Sequence, residues 1–201
     1  MVMVERRARA PRSGGAKRRL SAGDWADAAL TAIGEGGLAA VAVEPLAARL
    51  GATKGSFYWH FPHREALIEA ALARWEETST EAIIARLASE PDPERRLRRL
   101  FAEATEAVAK DPLEVSLLAT AAHPQVAAVL GRVSERRIGY LAQLFTELGF
   151  PPDDARRRGL LAYAGFLGHT QLIHAVPQAL PVDEDWTRHL ESVIATLLRR
   201  D

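Results

Sequence analysis

Helix breakers dictate what this chain can become. Glycine or proline punctuates it at Gly34, Gly36 and Gly37, at Gly51 and Pro62, at Pro91 and Pro93, at Pro112 and Pro124, from Gly149 to Pro152 and from Pro177 to Pro181. Between these points run alanine- and leucine-rich segments whose apolar residues recur at helical spacing, and no convincing strand pattern interrupts them. The pattern predicts an all-α fold of about nine helices. The first covers 21–37, with Ser21 as N-cap and Asp24 three residues on in a variant of the capping box. Its Trp25, Ala28, Ala29, Ala32 and Ile33 share one face. Two short helices, about 43–50 and 53–61, flank a tight turn at Gly51 and Ala52. Pro45 is tolerated in the first turn, where backbone N–H groups lack intrahelical partners. A long helix from His63 or Arg64 to about Ser89 follows, and five more segments fill 94–110, 113–122, 124–148, 153–176 and 183–200.

The 201 residues carry 26 basic and 26 acidic side chains, so the net charge is zero, but the charge is not evenly spread. Residues 1–64 hold ten Lys/Arg and five Asp/Glu, and the remaining 137 hold sixteen and twenty-one. A basic end on an acidic body suggests a nucleic-acid contact at that end. Residues 1–19 hold seven of the basic side chains against Glu5 alone. Such a segment cannot bury enough apolar surface to order itself, and is read either as a flexible arm lying along phosphates or as a solvated tail. Cysteine is absent. This excludes a disulfide framework or a thiolate metal site, and a reducing cytoplasm is the expected home. Residues Met1 to Val4 lack the apolar core of a secretion signal.

The most informative stretch is Leu46-Ala47-Ala48-Arg49-Leu50-Gly51-Ala52-Thr53-Lys54-Gly55-Ser56-Phe57-Tyr58-Trp59-His60-Phe61. Two short helices joined by a turn of three or four residues containing glycine follow the helix-turn-helix plan. Leu46, Leu50, Phe57 and Phe61 are spaced to face inward, with Ala47 small enough for close helix approach. Thr53, Lys54, Ser56, Tyr58 and His60 are left facing outward. With Gly51, Gly55, Phe57, Tyr58, His60 and Phe61 at these spacings, then Arg64-Glu65-Ala66-Leu67, residues 20–68 resemble the tetracycline-repressor (TetR) family. Two positions depart from the family pattern. Ala42 stands where members usually carry a capping Thr or Ser, and Val43 and Glu44 stand where a basic or hydroxyl residue often touches DNA. Glu44 is open to two readings, as an acceptor from a cytosine amino group or as an acid favoured by the helix dipole.

The resemblance implies a DNA-binding domain over 20–66, after an arm of 1–19, and an effector-binding and dimerisation domain over 67–201. In the recognition helix it implies base or phosphate contacts for Lys54 and Ser56, close backbone approach at Gly55, and phosphate contacts for Tyr58 and His60, with Arg64 at the start of the long helix as a further phosphate ligand. Thr53 is expected to cap that helix and to share its hydroxyl with a phosphate. Trp59 is read either as core or as a base or sugar contact, since an amphipathic indole suits both.

Residues 159–182 contain no charged side chain. A helix apolar nearly all round is a buried one, and Ala162, Gly165 and Gly168 would allow a second helix close approach. By resemblance the last two helices form a dimer interface, with Ala162, Gly165, Gly168, Leu172, Leu190, Ile194 and Leu197 as its candidates; an internal core helix is the other reading. The resemblance also implies a ligand pocket among the middle helices. Its candidate lining is Trp75, Phe101, Leu117, His123, Tyr140, Leu144, Phe145, Tyr163, Phe166 and His169, residue types that any bundle core also needs. No Ser-His-Asp order, phosphate loop or metal-spaced cluster suggests an enzyme, and His60 with His63 lacks a third ligand for zinc. No cofactor is expected. The expected function is that of a cytoplasmic, homodimeric regulator, a repressor released from a palindromic operator by an apolar or aromatic small molecule. An effector-independent DNA-binding protein, or an activator, of the same fold is the alternative.

Overall fold

The computed structural model of the chain describes residues 19–200, so all but the last residue of the basic arm lies outside the described residues. The helices are α1 (Ala22–Gly36), α2 (Val43–Arg49), α3 (Lys54–Tyr58), α4 (Arg64–Glu76), α5 (Ala82–Leu87), α6 (Pro93–Lys110), α7 (Leu113–Ala119), α8 (Pro124–Glu147), α9 (Pro152–Ala175) and α10 (Asp183–Leu198). A π-helical turn, Glu77–Glu81, joins α4 to α5 without a break in the rod. Among the described residues this makes nine helical rods and no strand.

Local chemistry explains the ends. The Ser21 N–H donates to Asp24 Oδ2 at 2.7 Å and the Asp24 N–H donates back to Ser21 Oγ at 3.2 Å, a complete capping box. His63 starts α4 by accepting the Ala66 N–H on Nδ1 at 3.1 Å. Pro93, Pro124 and Pro152 each occupy the first helical turn, where no donor is lost. The π-helical turn was not foreseen. Thr78 and Ser79 donate their hydroxyls to the carbonyls of Arg74 and Trp75, four residues back, and Arg137 donates to the Ser79 carbonyl. These bonds compete with the regular ladder and widen it over one turn.

Two hydrophobic clusters hold the rods. The first joins Trp25, Ile33, Leu46, Phe57, Leu67 and Leu72 of the N-terminal helices to Leu117, Val126 and Val133 of α7 and α8. Trp25 and Phe57 are fully buried and meet edge to face with centroids 5.5 Å apart. Each large apolar side chain so buried contributes about 1.5–3 kcal/mol. The second cluster gathers Leu87, Leu97, Leu144, Phe145, Ile194 and Leu197 from α5, α6, α8 and α10. Helices α8 and α9 pack most extensively. Gly159 makes this possible, because a Cβ there would lie 2.9 Å from the Ala142 backbone nitrogen.

The uncharged stretch does not behave as a buried rod. Leu161, Ala164, Gly165, Gly168 and Leu172 form an exposed stripe along α9, with Leu161 61% exposed, whereas Ala162 turns inward. No single helix among the described residues is long and apolar enough to cross a membrane.

Candidate nucleic-acid interface and body cavity

Helix α3 is a short rod held at the surface from below. Gly51 takes a left-handed φ of 61°, which turns the chain sharply after α2. Thr53 then caps α3 by accepting the Ser56 N–H on Oγ1 at 3.2 Å. Phe57 is fully buried and Phe61 nearly so, while Leu46 and Ala47 fill the space beneath from α2. Opposite Phe57, the outer face presents Thr53, Lys54, Gly55 and Tyr58 as exposed residues, with Ser56 and His60 half-buried. Trp59 is 82% exposed, which removes the core reading for this indole.

The charged residues around α3 are more committed than the sequence suggests. Lys54 Nζ donates to Glu44 Oε1 at 2.7 Å, tying the start of α3 to the first turn of α2. This hydrogen bond lowers the Glu44 pKa and raises that of Lys54. Arg49 pairs with Glu35 in the same manner. Arg64 is engaged as well. Its Nε donates to the Val41 carbonyl at 2.6 Å and Nη2 donates to the Leu38 carbonyl, so it fastens the α1–α2 connection rather than offering a free guanidinium. The Leu38 carbonyl also accepts the Val41 N–H at 3.2 Å, and the planar fork of Arg64 bonds it and the Val41 carbonyl together. Ala42 makes no side-chain cap to α2, as its methyl group requires.

Residues 26–71 match the family profile described as bacterial regulatory proteins, tetR family. The chain carries a TetR-family DNA-binding domain. No curated protein sequence matches it significantly. Among solved structures, a transcriptional regulator from Rhodococcus sp. Rha1 is similar over 89% of this chain and 96% of its own, with TM-score 0.70 and 23% identity. The fatty acid degradation regulator FadR from Bacillus halodurans aligns over 88% and 94% of the two chains, with TM-score 0.63 and 19% identity. The multidrug binding protein EbrR, complexed with imidazole, aligns over 96% and 98%, with TM-score 0.58 and 21% identity. At these identities the likeness is one of fold, and it extends across the body.

In that body a cavity of about 460 Å³ opens between α1, α4, the π-helical turn, α6, α8 and α9. Of the residues expected to line it, Trp75, Phe101, Tyr140, Tyr163 and Phe166 do so. Leu117, Leu144 and Phe145 are instead fully buried packing residues of the two clusters. His123 sits at the corner between α7 and α8, and its Nδ1 is buried with no hydrogen-bond partner among the described residues. His169 lies away from the cavity, with Nε2 2.9 Å from His189 Nε2 and its ring edge-on to Trp186. Burial, then the neighbouring His189, lowers its pKa.

The sequence reading missed the polar wall of this cavity. Arg137 donates from Nη1 to Glu114 Oε1 at 2.6 Å, from Nε to Thr80 Oγ1 at 3.0 Å, and from Nη2 to the Ser79 hydroxyl and carbonyl at 3.2 and 3.3 Å. Its guanidinium also lies 5.5 Å from the Trp75 ring centre and 5.8 Å from that of Phe166. Both partners are almost wholly buried. In the sequence Arg137 follows Arg136 and looks like part of a solvated face, so only the packing reveals it. Asp27, Leu30 and Thr31 of α1 also line the cavity, which brings the DNA-binding domain into its wall.

Four of the expected dimer-interface residues are buried already in the single chain. Leu190, Ile194, Leu197 and Ala162 are buried within the protomer. Ala162, Ile194 and Leu197 belong to the second cluster, with residues of α5, α6 and α8. Gly165, Gly168 and Leu172 remain exposed.

Proposed function

We propose that this chain is a transcriptional regulator that binds a palindromic operator as a homodimer and acts as a repressor released by a small apolar or aromatic effector. One observation carries the reading. Helix α1 packs Trp25 against Phe57, beneath the outward face of α3, and from the same rod presents Asp27, Leu30 and Thr31 to the cavity. A ligand that prefers one placement of α1 therefore acts directly on the element that seats the recognition helix, and differential affinity of this kind is what regulation requires.

In this reading residues 20–66 bind DNA and 67–201 hold the effector and the dimer contacts, with the arm of 1–19 along phosphates. Lys54 and Ser56 read base edges or phosphate, Gly55 allows close approach, Thr53, Tyr58 and His60 bind phosphate, and Trp59 lies against a base or sugar. Partner chains meet along Leu161, Ala164, Gly165, Gly168 and Leu172, an exposed apolar stripe of small and large residues on α9. Two recognition helices then fall roughly 34–36 Å apart, one DNA turn. The site of action is the cytoplasm, on the nucleoid. An effector-independent protein would be expected to fill its body, and the cavity argues against that alternative. Similar folds described as a fatty acid degradation regulator and a multidrug binding protein accord with a lipophilic effector.

The test is binding to DNA flanking the protein's own gene, followed across a salt titration. Several phosphate contacts per subunit predict a steep fall in affinity with salt. Lys54→Ala is expected to weaken specific binding by about 1–3 kcal/mol, and Tyr58→Phe to weaken binding to every sequence by about 1 kcal/mol. If neither substitution changed the affinity, the contact face would be elsewhere. A monomer by light scattering at micromolar concentration would remove the dimer.

A further inference from the structure

The charge balance of the cavity wall is one-sided. Its lining includes three carboxylates, Asp27, Asp111 and Glu114, against a single cation, Arg137, among the described residues. Arg137 is already engaged, making four hydrogen bonds to Glu114, Thr80 and Ser79 on the wall itself. An anionic ligand would have to strip it of those partners, at the cost of leaving a buried carboxylate unpaired. The acids are less fully satisfied. Glu114 bonds Arg137 through Oε1 alone. Asp111 accepts only the Leu113 N–H, at 2.9 Å, and no lysine, arginine or histidine among the described residues lies within ion-pair reach of it. Asp27 is compensated by Arg74 at the half-exposed mouth. The rest of the wall is strongly apolar, with the rings of Trp75, Phe101, Tyr163 and Phe166 available as negative π-faces.

From this arrangement we infer that the effector is a lipophilic cation: a bulky apolar or aromatic body carrying one positive charge, seated on the rings with its charge toward Glu114 and Asp111. A monocation offsets the surplus negative charge of the wall without disturbing the Arg137 network. An anion of equal shape meets the unpaired oxygens of Glu114 and Asp111 and finds the wall's one guanidinium already engaged. The inference rests on the reading of this cavity as the effector site.

The experiment uses two probes of the same shape and opposite charge, tetraphenylphosphonium and tetraphenylborate, with triphenylphosphine oxide as the neutral control. Binding to the full chain is followed by calorimetry and by quenching of tryptophan fluorescence, in which Trp75 reports. Tetraphenylphosphonium is expected to bind about tenfold or more tightly than tetraphenylborate, the difference that about 1.4 kcal/mol supplies. Glu114→Gln, which keeps an acceptor for Arg137, and Asp111→Asn, at an exposed position, are each expected to reduce the affinity several-fold. Ala104→Trp, which fills the cavity, should abolish it. If the borate binds inside the cavity as tightly as the phosphonium, the cation assignment falls while the sensor reading stands. If phosphonium binding survives Ala104→Trp, or is indifferent to both acid substitutions, the site assigned here is wrong. If none of the three probes binds, the effector reading of the cavity falls with it.

Discussion

Arg64 shows how the partners of a single side chain escape a reading at the scale of the residue. Its place just before a leucine-containing helix suits a phosphate ligand, but its guanidinium donates to Val41 and Leu38 carbonyls in the link before α2. Arg64→Ala is therefore expected to lower stability by about 2 kcal/mol in a denaturant titration, because buried carbonyls lose charge-assisted bonds. Arg64→Lys should rescue little, since a point charge cannot span both acceptors. A fully stable Arg64→Ala protein with weakened DNA binding would instead return Arg64 to the contact face. Trp59 was undecidable from residue type, because an indole suits core and interface alike. Its neighbour Phe57 took the one inward position on this turn, and Trp59 was left exposed. Glu44 likewise had two readings, and its pairing with Lys54 adds a third role that neither position advertises alone.

Among the elements, α2 lacks a side-chain cap. It has seven residues and begins at Ala42, whose φ of −124° and ψ of 138° already suit an N-cap, but which has no side-chain acceptor. Ala42→Thr is expected to stabilise the protein by about 1 kcal/mol, seen as a higher thermal midpoint, because the geometry is in place and only the oxygen is lacking. No gain would mean that another group already satisfies those N–H donors. Most element boundaries were legible because they depend on local chemistry, such as the Ser21–Asp24 box, the Gly51 turn and the first-turn prolines. The π-helical turn was not legible. It depends on Arg137, fifty-eight residues beyond Ser79, donating to that carbonyl. The uncharged run over 159–182 left two readings open, a dimer face and an internal core helix, because periodicity marks small and apolar residues alike for both; in the single chain its Gly165, Gly168 and Leu172 are exposed.

For the whole molecule, the distribution of charge separates attraction from recognition. Residues 19–64 carry four basic and four acidic side chains, and Arg49, Lys54 and Arg64 are all engaged. The excess of the basic end belongs to residues 1–18, with six basic side chains and one acid. Deleting residues 1–18 is expected to weaken binding to all DNA and to reduce the salt slope by about 0.9 for each phosphate contact removed, while sequence preference persists. An unchanged slope would show that the arm takes no part.

The sequence by itself determined the number of rods, their ends and the helix-turn-helix segment, because breakers, caps and apolar spacing act over a few residues and need no distant partner. Tertiary structure alone decided that α1 serves both the recognition helix and the cavity, that Leu190, Ile194 and Leu197 close the protomer's own core, and that Arg137 meets Glu114 and the π-helical turn. Those outcomes depend on which faces of remote helices are brought together, and periodicity marks a face as apolar without specifying what will cover it.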